Sequence, residues 1–351
     1  MVFLYRGFWP RRIGAGANVY WALGNRMKLG FVGLGKLGLP CAVAADMKGH
    51  DVLGYDTNPK TMSKAPRRYK ETGPDGVASF DPYLEASAIG FGSLEDVVDH
   101  GDIIFVAVQT PHDARYEGIT RLPDERVDFD YSHLVRAIEQ ISRVVKKQTI
   151  VSIVSTVLPG TIRRLILSVA SPRLRICYTP SFIAMGTTMR DYLNPEFVLL
   201  GVHHEDAALT VEAYYKSMVD APIVRTTLET AELIKVAYNT FITMKVVFAN
   251  TMMEIAHHVE GADVDEMTRA LGLAHRRLMS PAYLKGGMGD GGGCHPRDNI
   301  AMSWLARNVG LSFDLFDSLM TGRERQCEWL ADLMCASDLP KWILGYSSRR
   351  I

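Results

Sequence analysis

From Met27 onward the chain alternates short apolar runs with amphipathic stretches a few turns long, joined by brief loops of Gly, Pro, Asp and Asn. The pattern predicts strands at 27–33, 51–56, 102–108, 149–154, 174–178 and 196–201, and helices at 36–48, 93–100, 130–146, 160–170 and 204–218. Strands this apolar, each followed by a helical segment, must be covered on both faces, and a doubly wound parallel sheet does that. After Pro222 the character changes. Residues 228–260 contain no Gly or Pro and are filled with Ala, Leu, Ile and Met, which predicts one long helix. Further helix is expected at 263–270 and from Asp298 to about Cys335, with a Gly-rich loop at 286–293 between them. The expected organisation is an α/β unit over 27–222 followed by an all-helical unit over 223–335.

Composition narrows the function classes. The 351 residues suffice for about two domains. They carry 39 Lys plus Arg against 39 Asp plus Glu, so the broad basic face of a nucleic-acid or anionic-membrane binder is absent. No window holds the roughly 18 uninterrupted apolar residues of a membrane span. The five cysteines (Cys41, Cys177, Cys294, Cys327, Cys335) are scattered, with no Cys-x-x-Cys pair, which points to a reduced cytoplasm and away from a disulfide framework or a zinc site. Residues 1–26, with four Arg and no acid, are expected to be a disordered extension. Residues 336–351 include a stretch from Lys341 that reads as a strand entering a turn, and are expected to be the remnant of a further domain.

Four stretches carry chemistry. Gly33-Leu-Gly35-Lys36-Leu37-Gly38 lies where the first strand meets the first helix, and Asp56 ends the second strand. The first Gly permits the tight turn, the second lets a pyrophosphate approach the backbone, and the third lets helix and strand pack closely. Asp56 is suited to a ribose 2′-hydroxyl and repels a 2′-phosphate, so NAD is expected in preference to NADP. Val108-Gln-Thr110-Pro111 and Ser155-Thr156-Val157-Leu-Pro159-Gly160-Thr161 follow the third and fourth strands, at the sheet edge where open α/β proteins bind ligands. Both could be simple strand-end turns, and only their shared location near the cofactor favours more.

Lys235 and Asn239 sit four apart on the long helix, with Glu232 one turn earlier, so the three share a face. An ammonium and an amide aimed at one point suit an oxygen that gains negative charge during hydride loss, and a solvated helix face is the equal alternative. In Gly287-Met-Gly-Asp-Gly291-Gly-Gly-Cys294-His295-Pro296-Arg297-Asp298, four of the five residues before Cys294 are Gly, so backbone can pack against a ligand. Pro296 and Asp298 resemble a helix start with Asp298 as its cap, and a helix N-terminus lowers a thiol pKa, which makes Cys294 a candidate nucleophile. A buried structural cysteine is the alternative. No other Cys or His has metal-ligand spacing to it, and no metal is expected.

Taken in order, these motifs, together with Asn194-Pro-Glu-Phe-Val-Leu-Leu-Gly201, Gly261-Ala-Asp-Val-Asp-Glu-Met267 and Ser280-Pro-Ala-Tyr283-Leu-Lys285, resemble the UDP-glucose/GDP-mannose dehydrogenase family from Met27 to about Cys335. The resemblance implies a Rossmann-like NAD-binding domain, a long helix within a helical domain that forms a homodimer, and a third domain that holds the substrate's nucleotide. It implies a twofold oxidation of a nucleotide sugar, UDP-glucose foremost, to the uronate for polysaccharide biosynthesis, through a thiohemiacetal and thioester on Cys294. Lys235 and Asn239 are then stabilisers of the charged oxygen, and Asp298 and Thr156 position water or assist proton transfer. The implied cofactor contacts are Gly33, Gly35, Lys36, Leu37, Gly38, Asp56, Thr110, Pro111, Thr156 and Arg297. The implied substrate contacts are Ser181, Phe182, Lys235, Asn239, Tyr283, Lys285 and Gly291.

The sequence departs from the family pattern in the segment Thr179-Pro180-Ser181-Phe182-Ile-Ala-Met185-Gly186, where Ser181 and Met185 stand at positions usually held by Glu. Arg297 stands where Lys is usual, keeping the charge in a different geometry. Two other readings remain open: an NAD-binding regulatory or interaction subunit of weak activity, and a β-hydroxyacid dehydrogenase, which shares the glycine turn and the Lys-x-x-x-Asn helix.

Overall fold

A computed structural model of the chain describes residues 26–66, 69–111, 114–116, 124–258, 260–274, 294–309 and 314–336. The expected extension before Met27 and the tail after 336 lie outside these residues, apart from their end residues Arg26 and Ala336. So do Tyr283, Lys285, Gly291 and the rest of the Gly-rich loop.

The first unit is a twisted eight-stranded sheet: β1 (Lys28–Val32), β2 (Asp51–Tyr55), β3 (Gly90–Phe91), β4 (Ile103–Val106), β5 (Thr149–Ile153), β6 (Leu174–Tyr178), β7 (Val198–Val202) and β8 (Ile223–Thr227), in the spatial order β3-β2-β1-β4-β5-β6-β7-β8. The helices are α1 (Gly38–Met47), α2 (Asp81–Ala86), α3 (Leu94–His100), α4 (Ser132–Val144), α5 (Leu167–Val169) after a π-helical turn at Ile162–Ile166, α6 (Thr188–Leu193) and α7 (Glu205–Met218). Two apolar clusters flank the sheet. One gathers Leu29, Phe31, Phe105, Leu39 and Tyr214, and the other Val32, Ile104, Val106, Ile138 and Val151. Neighbouring residues of β1 and β4 thus face opposite clusters, as a sheet covered on both sides requires.

Local sequence explains the helices that cover it. In α1 every residue from Gly38 to Ala45 is buried, because the helix is wedged between the sheet and α6. In α4 only Leu134, Ala137, Ile138 and Ile141 are buried, at the spacing of one helix face. The helix α3 starts at a reciprocal capping box between Ser93 and Asp96, a device that contributes about 1 kcal/mol.

The sheet departs from the expected parallel arrangement at one junction, where β6 and β7 run antiparallel. A parallel return needs a crossover of a dozen residues or more along the sheet. The helix between these strands, α6, has only six residues and packs on α1, so the chain turns back at the same end. The strand β8 pairs parallel with β7 and carries the sheet past residue 222, where the sequence expectation ended it. Its mixed Ile-Val-Arg-Thr-Thr composition, with Val224 and Arg225 exposed, is that of an edge strand.

The helix α8 (Leu228–His258) follows β8 directly and runs 31 residues. Its first turns bury Leu228, Ala231 and Val236 against the sheet's second cluster, and it packs on α9 (Val264–Gly272), α10 (Cys294–Val309) and α11 (Leu315–Cys335). The helical stretch expected from Asp298 to about Cys335 is divided into two helices, and α10 begins at Cys294. Pro296 is its third residue, within the first turn where the missing N–H costs nothing. A cap at Asp314, which accepts from the Asp317 amide at 2.9 Å, starts α11.

Candidate active site

The strand order places a topological switch point between β1 and β4, and ligands of open α/β sheets bind outside the carboxyl ends of such strands. Gly33 leaves β1 there with φ +95°, a left-handed conformation that glycine adopts without strain. A Cβ on Gly38 would lie 1.9 Å from the Gly33 carbonyl oxygen, so this glycine allows α1 to start against the turn. A Cβ on Gly35 would meet nothing within 4 Å among the described residues, which leaves open space over its backbone. Leu37 at the N-cap offers α1 no side-chain cap and the first turn carries no acid, so its amide groups and positive end face that space. Asp56, at the end of β2, accepts from the Leu34 amide through Oδ2 and from the Asn58 amide through Oδ1, both at 2.7 Å. Its carboxylate is thereby fixed beside the glycine turn with lone pairs to spare. These features fit a dinucleotide with its diphosphate on α1 and a ribose on Asp56.

The ends of β4 and β5 are tied together next to this turn. The Thr110 hydroxyl donates to the Thr156 carbonyl at 2.8 Å, and the Ser155 hydroxyl donates to the Val108 carbonyl at 2.7 Å. Pro111 follows and accepts from the Asp130 amide through its carbonyl at 2.9 Å. Lys36 is exposed at the rim, with its ammonium 5.8 Å from the centre of the Tyr69 ring, and Leu37 is half-buried beside it.

A second group of side chains converges where α8 meets α10. Lys235 and Asn239 are 8% and 6% exposed, which excludes the solvated helix face. The Asn239 amide donates to Asp298 Oδ2. Asp298 is fully buried one turn into α10, so it is not the helix cap expected from the sequence. Arg297 reaches Asp298 Oδ1 from Nη2 at 3.3 Å and lies 5.1 Å over the Phe129 ring. The Lys235 ammonium is 5.1 Å from the centre of the Phe182 ring, which in turn packs on Phe197 and Tyr238. Burial pushes the Lys235 pKa below the ordinary lysine value, and the charges of Asp298 and Cys294 pull it partly back.

Cys294 is the first residue of α10 and is half-buried, with its carboxylate neighbour Asp298 one turn further on. Cys41 and Cys177 differ: both are buried, and burial drives their thiols up, Cys177 to about 12. Ser181 is half-buried next to Phe182 on the loop after β6.

Two carboxylates of this region were not assigned a role from the sequence. Glu232, fully buried, accepts from the Gly160 amide at 2.5 Å and the Ile162 amide at 2.8 Å. Glu71 accepts from the Thr188 amide at 2.7 Å and hydroxyl at 2.8 Å, and so ties residues 69–73 to the start of α6. A polar residue at a helix position otherwise facing the core marks Glu232 in the sequence. Nothing local marks Glu71, because its partners Thr188 and Gly186 lie 117 and 115 positions away.

The family model for the NAD-binding domain of the UDP-glucose/GDP-mannose dehydrogenase family matches residues 27–219, and the model for its central domain matches residues 229–322. The chain belongs to this family. Family membership makes it an NAD-dependent oxidoreductase, and the glycine turn with Asp56 is the part of the structure that fits NAD. A UDP-glucose 6-dehydrogenase of Rickettsia bellii is 27% identical over 315 residues, covering 87% of this chain and 69% of the relative. A GDP-mannose 6-dehydrogenase of Pseudomonas aeruginosa is 27% identical over 342 residues, covering 92% and 74%. Among solved structures, a UDP-glucose dehydrogenase from Pyrobaculum islandicum superposes with a TM-score of 0.73 at 26% identity, covering 93% of this chain and 71% of that one. The chain thus spans about two thirds to three quarters of the length of these family members.

Proposed function

We propose that this family member is an NAD-dependent nucleotide-sugar 6-dehydrogenase of the UDP-glucose type, which oxidises a sugar hydroxymethyl group twice to the carboxylate. The observation that carries the reading is the convergence of Lys235, Asn239 and Asp298 beside Cys294 at the start of α10. NAD, when bound, supplies the hydride acceptor. Lys235 and Asn239 stabilise the oxygen that becomes negative as the sugar hydroxyl gives up its proton to water ahead of hydride loss. The Cys294 thiolate then adds to the aldehyde carbon as a thiohemiacetal. Loss of a second hydride, to a second NAD, and of the hydroxyl proton, to water, leaves a thioester, and water attacks its carbonyl to release the uronate and restore the thiol. Asp298 and Thr156 are the groups assigned to position that water. Ser181 adds a hydroxyl, which is no general base at neutral pH, so this last step depends on Asp298. Phe182, together with Tyr283, Lys285 and Gly291, is assigned to the substrate, and Arg297 with Thr110, Pro111, Lys36 and Leu37 to the cofactor.

The test is the yield of NADH from wild-type protein with a panel of UDP- and GDP-sugars, for which two NADH per sugar are expected. Cys294→Ser is expected to stop after the first oxidation, lowering overall turnover by at least about a hundredfold. An unchanged yield of two NADH in that variant removes Cys294 from its role. One observation favours a second reading as a weakly active NAD-binding subunit: Ser181 in the position of a water-activating acid. Tight NAD binding with no NADH from any of the sugars selects it. We further propose a homodimer through the helical unit and a cytoplasmic role in supplying uronate for polysaccharide.

A further inference from the structure

Glu232 lies one turn before Lys235 on α8, and its carboxylate leaves the helix to reach the strand-end turn after β5. That turn carries Thr156, passes through Gly160 at φ +85°, and opens the helical stretch at Ile162. Both oxygens of Glu232 are used, one on the Gly160 amide and one on the Ile162 amide. No side chain from the stretch's own N-terminal residue Thr161 caps it. The carboxylate from α8 therefore does the capping from another element, and in doing so fastens α8 to the turn. The other end of the same turn is held to β4 by the Thr110 and Ser155 hydroxyls. The α8 segment bearing Lys235 and Asn239 and the β4 end bearing Thr110 and Pro111 are thus braced through one short piece of backbone.

We propose that Glu232 is a positioning residue, a carboxylate clamp that holds the Thr156 turn in register with Lys235 and Asn239. The inference rests on the proposed dehydrogenase reading for its consequence in catalysis, while the clamp itself is a property of the fold. Only the ionised carboxylate accepts both amides without presenting a proton to one of them. Burial drives its pKa up to about 7, with the two amide bonds pulling the other way. The titratable groups facing it are Glu229 on α8, Arg163 from the stretch it caps, and the buried Tyr178 phenol from β6. Arg163 is itself paired with Glu229, and the two charges act on Glu232 in opposite directions. The clamp consequently loosens as pH falls through neutrality.

Hydrogen exchange and steady-state kinetics on the full chain test this together. In wild type the amides of 160–162, corrected for intrinsic exchange, are expected to be protected at pH 8 and to lose protection below pH 7. Glu232→Gln is expected to exchange there at least about tenfold faster at pH 8. Its kcat for the first oxidation is expected to fall about ten- to a hundredfold with KM and NAD affinity within about twofold, and the acid limb near pH 7 to vanish. Glu232→Asp keeps the titration but is one methylene short, so it should lower kcat while retaining an acid limb; it also serves if the Gln variant does not fold. Wild-type exchange and kcat in either variant overturn the clamp, as does an acid limb unchanged in Glu232→Gln. If wild type makes no NADH from any nucleotide sugar, the dehydrogenase reading fails, and the exchange comparison still decides the clamp.

Discussion

Lys235 is a cation held where a cation is costly. Its pKa is lowered by burial, against the opposing pull of Asp298 and Cys294, so the folded protein disfavours the proton that the unfolded chain keeps up to about 10.5. Between the lowered folded value and 10.5 the unfolded state binds more protons, and wild-type stability rises with pH by up to about 1.4 kcal/mol per unit. Lys235→Met lacks this cost. The variant is expected to unfold at higher denaturant than wild type at pH 7, with the advantage shrinking as pH rises toward 10.5, while dehydrogenase turnover falls at least about a hundredfold. Denaturation midpoints at several pH values check the first part; a variant less stable at pH 7 would mean that the Lys235–Asp298 attraction outweighs desolvation. That Lys235 and Asn239 share one helix face was legible in the four-residue spacing alone. Its burial was not, because the surface that covers it comes from α10, about 60 residues further along the chain.

At the scale of elements, the glycine turn separates two kinds of demand on one motif. The open space at Gly35 and the 1.9 Å approach at Gly38 predict opposite phenotypes for the same substitution. Gly35→Ala is expected to leave the melting temperature within about two degrees and to weaken NAD binding about tenfold or more, since the methyl fills space and touches no atom of the described residues. Gly38→Ala is expected to cost about 1–3 kcal/mol, because the start of α1 must move away from Gly33. Calorimetric unfolding together with NAD titration distinguishes them, and equal destabilisation of both would remove the distinction. The long periodic elements were readable from sequence for the same reason that they are stable: their apolar positions repeat along the chain. The two-residue β3, the six-residue α2 and α6, and the edge strand β8 carry too few repeats to show a period. The start of α10 at Cys294 was hidden by Pro296, which reads as a boundary yet is tolerated inside a first turn.

On the scale of the molecule, the two units are joined by α8 and by side chains that cross between them. Arg126, whose side chain is 6% exposed, pairs with Asp317 of α11, and Phe129 carries Arg297 of α10. These contacts hold α10 and α11 against the residues that precede α4, so loosening the helical unit is expected to disturb the proposed catalysis at a distance. The same helix has an outward face. Leu233 and Phe241, two turns apart on α8, are 45% and 42% exposed, an apolar stripe on a helix whose opposite face is buried. A second copy of the chain packed helix against helix would cover that stripe, which is the support for the proposed homodimer. Sedimentation of wild type at micromolar concentration is expected to give twice the mass of the 351-residue chain. Phe241→Asp puts a charge into the centre of that contact and should weaken association about a hundredfold, the loss typical of an aromatic anchor, yielding monomer at the same concentration. Because Phe241 lies outside the Lys235–Asp298 cluster, the monomeric variant should still bind NAD with wild-type affinity. Unaltered sedimentation of Phe241→Asp would place the dimer contact on another face, and a monomeric wild type would dismiss the dimer altogether.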